Sequence, residues 1–458
     1  MFSLSDAEFA EATQSLRELL RIDTTNPPGN ERPAAELIAR WLRDEGLTPE
    51  LAGVSPDRPN LVCRLSADPA HATGRPLVLS SHLDVVPADP TRWTHPPFSG
   101  IEADGCLWGR GAIDMKGFAV MALTAIRLLK RRGIPLHRDL IFAAVADEEA
   151  GTELGSEWLV NERPDLLGGS PEYVINEVGG FTVHQGGKRF YPVQVAEKGI
   201  AWLRMTVRGT AGHSSLPAPD NALETLAEAI VKISQTALPW HVTAPARDFL
   251  TGMARGSGPA AQWLLPALLN PITGPLLLPA AIRDPQRRRS VEAILRNTAN
   301  PTLISDGGTK INVIPGAASV EIDGRLVPGQ TAEDLIRELR RVLRDVDGTR
   351  YDFSIIRESE AAVFSPVSPL FTKVEETVKS RDSEGIVVAS IVPGFTDSRN
   401  YQKLGATCYG FYPLQLPESL DFASLFHGVD ERIPLEGFRW GIETLIDLLV
   451  RFLEVSES

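Results

Sequence analysis

Cysteine is scarce in this sequence. The three cysteines, Cys63, Cys106 and Cys408, lie far apart. Their number and spacing argue against a disulfide framework and a thiolate metal cluster, and they fit a reducing compartment. The first ten residues contain neither a basic segment nor an apolar one. We therefore expect no signal peptide and a cytoplasmic location.

An excess of positive charge is also missing. The 458 residues include 46 basic and 59 acidic side chains, which gives a formal net charge of −13. This balance argues against nucleic acid or an anionic membrane as the main partner. The composition, with 43% apolar and 23% charged residues, is typical of a soluble globular protein. The length favours two domains.

Charged residues are absent from Gly256 to Ile282. A stretch of this length can span a bilayer, but five prolines interrupt it and break any continuous helix. We therefore expect short helices and no stable membrane insertion. Its leucines and Trp263 must contact something apolar. The alternatives are packing within the domain or against a partner subunit, a wall of a substrate pocket, and, least favoured, membrane contact.

Apolar strands alternate with amphipathic helices in the first 180 residues, which predicts an α/β fold with a mostly parallel sheet flanked by helices. Several of these strands run directly into side chains that bind metals. These side chains are His82 and Asp84, then Glu148 and Glu149, then Glu177. His82 and Asp84 point to the same side, so the aspartate can accept the second imidazole N–H. Because functional crevices lie at the carboxyl ends of parallel strands, we expect these residues to converge.

Two further residues are candidates for the same edge of the sheet. Asp114 lies in a glycine-rich bend before an apolar helix of about residues 118–131, where it is equally suited to cap that helix. His427 precedes a terminal amphipathic helix. Two histidines and several carboxylates at one edge predict a metal site.

The pattern changes between about residues 198 and 358. A strand, a helix, two strands around residues 309–327, a helix and a strand follow one another, which is the ferredoxin-like β-α-β-β-α-β order. This order predicts a smaller α+β domain inserted into the α/β domain. We place the catalytic domain at residues 1–197 and 361–458, and the inserted domain at 198–360 with an additional proline-rich insert at about 245–300.

Seven motifs occur in chain order. They are Ser81–Pro87, Gly109–Gly117, Asp147–Glu149, Asn176–Glu177, Gly212–Ser215, Asn312–Gly316 and His427. Together they resemble the M20 family of di-zinc metallopeptidases and amidohydrolases, which includes acetylornithine deacetylase, succinyl-diaminopimelate desuccinylase, aminoacylase-1 and glutamate carboxypeptidases. The insert is longer than the compact lid of the deacetylases. In this respect the chain resembles the larger carboxypeptidase and N-acyl-amino-acid hydrolase branches.

The resemblance implies an inserted lid or dimerisation domain, a homodimer and two Zn²⁺ ions, with Co²⁺ or Mn²⁺ as substitutes. It makes His82 a ligand of one zinc and His427 a ligand of the other, with Asp114 bridging both. Glu149 and Glu177 complete the two sets of ligands. Imidazole and carboxylate are ligands that suit zinc.

The resemblance also implies roles for residues that do not bind metal. Glu148 is the general base, and His213 donates to the oxyanion in the active site of the partner subunit. Asp84, as the partner of the His82 imidazole, is counted with them among the catalytic residues. The bland alternative for His213 is an ordinary core or surface histidine. Asn312 and Arg399 anchor the substrate, because an arginine fork binds both oxygens of a carboxylate.

The implied activity is hydrolysis of a peptide or N-acyl amide bond next to a free carboxylate, as in a carboxypeptidase, dipeptidase or aminoacylase. The substrate is then a small peptide or N-acyl amino acid. One alternative is a deacylase of small metabolites such as N-acetyl or N-succinyl diamino acids. Another is a non-catalytic binding relative, which we expect to have lost Glu148 or a metal ligand; none is missing.

Overall fold

The computed structural model describes residues 1–216, 218–305 and 310–454. Its helices are α1 (Asp6–Leu20), α2 (Arg32–Asp44), α3 (Lys116–Arg131), α4 (Ser156–Glu162), α5 (Ala222–Gln235), α6 (Ala244–Ser257), α7 (Pro259–Leu269), α8 (Gly274–Ala281), α9 (Pro285–Leu295), α10 (Ala332–Val342), α11 (Pro369–Arg381), α12 (Ser398–Tyr401), α13 (Phe422–Leu425) and α14 (Leu435–Leu453).

The strands over the same residues are β1 (Glu50–Ala52), β2 (Asn60–Leu65), β3 (Leu77–His82), β4 (Ile101–Ala103), β5 (Cys106–Trp108), β6 (Leu140–Val145), β7 (Tyr173–Asn176), β8 (Val183–Gln185), β9 (Lys188–Glu197), β10 (Gly199–Arg208), β11 (Gly212–His213), β12 (Thr298–Ser305), β13 (Val313–Ile314), β14 (Ala317–Leu326), β15 (Tyr351–Ser359), β16 (Ile386–Val392), β17 (Thr407–Gly410) and β18 (Arg432–Pro434).

The chain divides into two compact units. The larger unit comprises Met1–Val195, Phe364–Ser390 and Thr396–Ser458, and the smaller unit comprises Ala196–Val363 and Ile391–Phe395. The short segment Ile391–Phe395 therefore belongs to the smaller unit, although the sequence analysis assigns all of 361–458 to the larger one.

The larger sheet has the strand order β1-β2-β6-β3-β7-β17-β9-β16, and β8 pairs with β9. Strands β6, β3, β7 and β17 run parallel at its centre. On one side of this centre, β2 pairs antiparallel with β6, and β1 pairs antiparallel with β2. On the other side, β9 pairs antiparallel with β17. The predicted α/β fold is confirmed, with a parallel centre and antiparallel margins.

Both faces of this sheet are covered. All residues of β3 and β6 are buried, and their side chains alternate between two apolar clusters. Leu77 and Leu79 pack with α1, α2, α3 and α14, whereas Val78 packs with α4 and α12. A strand covered on both faces has an uninterrupted apolar sequence, which explains why these strands were visible in the sequence.

The smaller unit contains an antiparallel sheet of order β12-β14-β10-β15. In chain order this is strand 2-3-1-4, the ferredoxin-like arrangement that was predicted. Helices α5 and α10 pack on the sheet through one apolar cluster. Of the two strands expected around residues 309–327, one is β14 and the other lies earlier, at β12. Thr309 itself lies outside the described residues.

The proline-rich insert forms the four helices α6 to α9, so the expected short helices are confirmed. Leu278 and Leu295 are buried in a cluster with Trp240. In contrast, Trp263 and Leu276 are 84% and 78% exposed. Packing within the insert therefore explains only part of its apolar sequence. A search of the described residues finds no helix with the length and apolarity to cross a bilayer.

Candidate metal centre

The five predicted metal ligands all lie in the larger unit. His82 is the last residue of β3, Glu149 follows β6, and Glu177 follows β7. Because these strands run parallel, their carboxyl ends meet at one edge of the sheet. Asp114 lies two residues before the start of α3, and His427 lies in the loop between α13 and β18.

These side chains form two groups that share Asp114. In the first group, His82 Nε2 lies 3.0 Å from Asp114 Oδ1 and 3.5 Å from Glu177 Oε2. In the second, His427 Nε2 lies 2.9 Å from Asp114 Oδ2 and 3.1 Å from Glu149 Oε2. The two oxygens of Asp114 thus face different groups, and the potential ligand atoms within each group lie within 4.8 Å of one another.

The donor set fits two divalent cations. Ligand atoms ~2 Å from a tetrahedral zinc lie ~3.3 Å from one another, close to the spacings found here. Glu149 Oε1 is buried and receives no hydrogen bond from the described residues. A buried carboxylate oxygen without a donor is unfavourable unless a cation compensates it. Mixed imidazole and carboxylate ligands suit Zn²⁺ and, with less preference, Mn²⁺ or Co²⁺.

Buried charge at the site also favours cation binding. Burial raises the pKa of Glu177 to about 8. Burial and then the charge of Asp114 raise the pKa of Glu149 to about 7. Although burial opposes it, hydrogen bonds to Asp114 and Glu149 raise the pKa of His427 to about 10. Burial therefore disfavours the charged form of both carboxyl groups, and added positive charge would stabilise that form.

Asp84 supports the site differently from the prediction. His82 Nδ1 lies 2.9 Å from the main-chain oxygen of Asp84 but 3.7 Å from its carboxylate Oδ1. The predicted hydrogen bond from the imidazole to the carboxylate is therefore wrong. An imidazole N–H donated to the carbonyl still leaves Nε2 as the metal-binding nitrogen.

The Asp84 carboxylate instead holds the acidic loop after β6. It accepts the main-chain N–H groups of Glu148 and Glu149, both at 3.1 Å. It also accepts from Asn26 Nδ2 at 2.8 Å. The contact of Asn26 with the site had no signal in the sequence.

Glu148 is buried beside the ligands, at 6% exposure. Burial and then the charge of Glu177 raise the pKa of Glu148 well above the ordinary carboxyl value. A second carboxyl group, that of Asp397, also lies among these charges, and burial raises its pKa to about 6. Ser156 donates a hydrogen bond to Asp397. No pattern in the sequence indicates a role for Asp397.

Glu431 fixes the bend that carries Asp114. The fully buried carboxylate accepts the main-chain N–H groups of Ile113 at 2.7 Å and Asp114 at 3.0 Å. It also accepts from Gly111 N at 3.1 Å and from Arg110 Nη1 at 2.6 Å. The helix cap of α3 is Met115, without a side-chain hydrogen bond, so the capping alternative for Asp114 is wrong.

A small antiparallel sheet brings the His427 loop to this bend. Strand β18 follows the loop and pairs with β5, which precedes the bend, in the register Arg432 to Trp108. Glu431 lies only four residues after His427, yet no feature of the sequence distinguishes this buried glutamate from an exposed one.

The predicted residues His213 and Asn312 lie together in the smaller unit. His213 is on β11 and pairs with Val313 on β13, and Ser214 N donates to the main-chain oxygen of Asn312 at 3.2 Å. Both residues are exposed. Arg399, in contrast, lies in the larger unit, where it is buried and donates from Nη2 to the carbonyl of Gly151 at 3.2 Å. Their substrate-binding roles stay predictions.

A cavity of ≈ 410 Å³ adjoins His427 in the larger unit. Its volume is within the range of small-molecule sites. Its wall combines apolar and basic side chains and is formed by Pro87, Ala88, Asp89, Arg92, Trp93, Arg110, His427, Gly428 and Val429.

The family model described as Peptidase family M20/M25/M40 matches residues 78–451. The chain is 30% identical over 400 residues to the N-fatty-acyl-amino acid synthase/hydrolase PM20D1 of Bos taurus, covering 84% of this chain and 75% of that protein. It is 26% identical over 445 residues to aminoacylase-1 of Sus scrofa, covering 94% and 93%. The crystal structure of the M20 family metallo-carboxypeptidase Sso-CP2 from Sulfolobus solfataricus superposes with a TM-score of 0.69 at 19% identity, covering 96% and 98%, which shows a shared fold.

Proposed function

Because this chain belongs to peptidase family M20/M25/M40 and is a hydrolase of amide bonds, we propose that it cleaves N-acyl amino acids with an apolar acyl group, using two Zn²⁺ ions. The observation that carries the proposal is the pair of ligand groups joined by Asp114. His82 and Glu177 would hold one ion, His427 and Glu149 the other. The proposal keeps the predicted cytoplasmic homodimer, in which His213 contributes to the site of the partner subunit.

When bound by these residues, two divalent cations would lower the pKa of water and polarise the carbonyl of the scissile amide. The residues of the chain then provide the proton transfers. Glu148 takes a proton from the water whose oxygen attacks the carbonyl carbon, and gives it to the nitrogen as the carbon–nitrogen bond breaks.

The cavity beside His427 supports the choice of substrate. Pro87, Trp93 and Val429 give it an apolar wall suited to an acyl chain, and Arg92 in its lining can pair with a carboxylate at the same site. The name of the bovine relative points to fatty-acyl amino acids as its substrates. The long insert is a second feature that supports this substrate class, because the compact metabolite deacylases lack it.

The experiment is a panel of N-acyl amino acids whose acyl chain lengthens stepwise, together with dipeptides and N-acetyl and N-succinyl diamino acids. Release of the free amino group is measured by mass spectrometry with zinc present. We expect kcat/KM to rise with acyl length, by up to ~0.8 kcal/mol for each buried CH₂. Trp93→Ala should flatten this rise, and Trp202→Ala, in the smaller unit, serves as the control.

Three results would contradict the proposal. If kcat/KM does not change with acyl-chain length, the cavity is not a pocket for an apolar acyl chain. A preference for dipeptides or for the diamino acid derivatives would indicate another substrate class. Absence of hydrolysis across the panel favours a binding relative.

A further inference from the structure

Part of the insert presents large apolar side chains to solvent. In α7 no residue is buried, and Trp263 is 84% exposed. Ile272 and Leu276, in the following turn and in α8, are 79% and 78% exposed. Since no charged residue occurs from Gly256 to Ile282, this surface has no charged side chain that would favour its exposure to water. We name α7, α8 and the turn between them the apolar hairpin. Exposed apolar surface of this kind marks an interaction site.

The inner side of the apolar hairpin is firmly packed in the smaller unit. Leu278 is 2% exposed and packs with Trp240 and Leu295. Leu268 contacts the same cluster. At Gly274 the backbone comes so close to Trp240 that an added Cβ would lie 2.1 Å from a ring atom. The outer face is therefore held in a fixed orientation by the fold, and its exposure follows from that orientation.

A group of arginines follows the apolar hairpin directly. Arg283, Arg287 and Arg289 are exposed, and Arg288 is half-buried. The acidic residue among them, Asp284, caps α9 by accepting the N–H groups of Gln286 and Arg287. The local charge is thus positive in a chain whose net charge is −13. These four residues are referred to as the arginine group.

We propose that the apolar hairpin and the arginine group form a docking surface for an anionic lipid bilayer. Tryptophan prefers the boundary between head groups and acyl chains, and helices with an apolar side and a basic rim lie in that boundary. Exposed arginines that follow the apolar hairpin in the chain can contact lipid phosphates. The negative charge of the rest of the chain opposes other orientations on the same bilayer.

Local charge favours an anionic bilayer surface as the occupant. The four arginines follow the apolar hairpin with a single acidic residue among them, whereas the whole chain has a net charge of −13. An anionic lipid surface is complementary to this local positive charge. The net charge argued against a membrane as the main partner, but that argument averages over the chain and misses a local reversal of sign.

The charge component is tested by sedimenting the full chain with vesicles of phosphatidylcholine, alone or mixed with phosphatidylglycerol. We expect binding to the mixed vesicles that weakens with salt. The triple variant Arg283→Gln, Arg287→Gln, Arg289→Gln should reduce partitioning by roughly a hundredfold. The matched control replaces three exposed arginines elsewhere in the smaller unit, Arg204, Arg337 and Arg344, by Gln. Equal binding by both triple variants, or no binding by the unmodified chain, would overturn the proposal.

The apolar component is tested with brominated lipids, which quench tryptophan emission only on contact. Quenching of the unmodified chain should be largely lost in Trp263→Phe. Trp263→Gln with Leu276→Gln should release the protein from vesicles, whereas Val367→Gln, 88% exposed in the larger unit, should not. Unchanged thermal melts would confirm that the variants are folded.

A second copy of the chain is the competing occupant. If the Trp263→Gln, Leu276→Gln variant converts a dimer to a monomer by light scattering while the unmodified chain ignores vesicles, the bilayer proposal is wrong. None of these measurements uses hydrolysis, so their outcome is independent of the proposed substrate.

Discussion

The metal-ligand cluster lies at strand ends and in loops, whereas the apolar hairpin consists of two helices and the turn between them, and the two regions use their side chains differently. At the cluster, the polar atoms of Asp84 and Glu431 each serve several partners within the chain. On the outer face of the apolar hairpin, Trp263 and Leu276 contact mainly water. Internal hydrogen bonds fix the positions of the side chains in the metal-ligand cluster. In the apolar hairpin, only the inner side chains are fixed, by packing against the core.

The difference predicts where substitutions have consequences. A cluster residue holds its neighbours, so its loss spreads to the other ligands. An exposed residue of the apolar hairpin contributes little to the stability of the fold. Its substitution should therefore have a measurable effect only in a binding experiment with an external partner. The four predictions that follow test this contrast, from the largest expected effect to the smallest.

Removal of metal should abolish activity without unfolding the larger unit. Dialysis against a chelator, checked by elemental analysis, is expected to eliminate hydrolysis, and added Zn²⁺ should restore it. Far-ultraviolet circular dichroism before and after dialysis reports the fold. Full activity in metal-free protein would refute the two-metal proposal.

Glu148→Gln should lower kcat by about 10²–10⁴-fold with both metals retained, because the base is lost while the ligands stay. The neighbouring substitution Glu149→Gln is the matched control, and it should lower the metal content as well. Kinetics and elemental analysis on both proteins separate the two roles. Equal metal loss in the two variants would show that the assignment of base and ligand is wrong.

Glu431→Gln should weaken metal binding by about 10–100-fold, since the amide accepts fewer of the four hydrogen bonds that hold the Asp114 bend. Competition with a fluorescent zinc indicator measures the affinity. The exposed Glu436→Gln, at the start of α14, is a control for the change of charge. An unchanged zinc affinity would mean that the bend keeps its position without Glu431.

Leu276 and Leu278, two residues apart in α8, should differ in their contribution to stability. Leu278→Ala is expected to cost about 2–5 kcal/mol, because it leaves a cavity against Trp240 and Leu295. Leu276→Ala should change stability by less than about 0.5 kcal/mol. Hydrogen exchange of the smaller unit measures both. Similar losses for the two variants would remove the distinction between the inner and outer sides of the hairpin.

Much of the fold could be predicted because the central strands are buried on both faces and therefore have continuous apolar sequences. The strand-end rule then brought His82, Glu149 and Glu177 together, and the structure places them together. His427 and Asp114 were candidates for the same edge, and the resemblance to a family assigned them as ligands. Their approach depends on the pairing of β18 with β5, a contact between distant segments that no local pattern encodes.

The errors share a physical cause. The Asp84 carboxylate was assigned to the imidazole on strand geometry, but it satisfies main-chain N–H groups of a loop whose path the sequence does not reveal. Glu431 and Asp397 were given no role because burial of a carboxylate depends on tertiary contacts. The displaced strand β12 follows a long helical insert, where the alternation of apolar residues is weak.

The division of the ligands along the chain sets an order during synthesis. His82, Asp114 and Glu177 have all left the ribosome once residue 177 emerges, whereas the second group waits for His427, which is 250 residues later, the difference between 427 and 177. At ~5–20 residues per second, this interval is about 12–50 s. A nascent chain therefore has the ligands of one cation long before those of the other, and a chain truncated before residue 427 never acquires the second set.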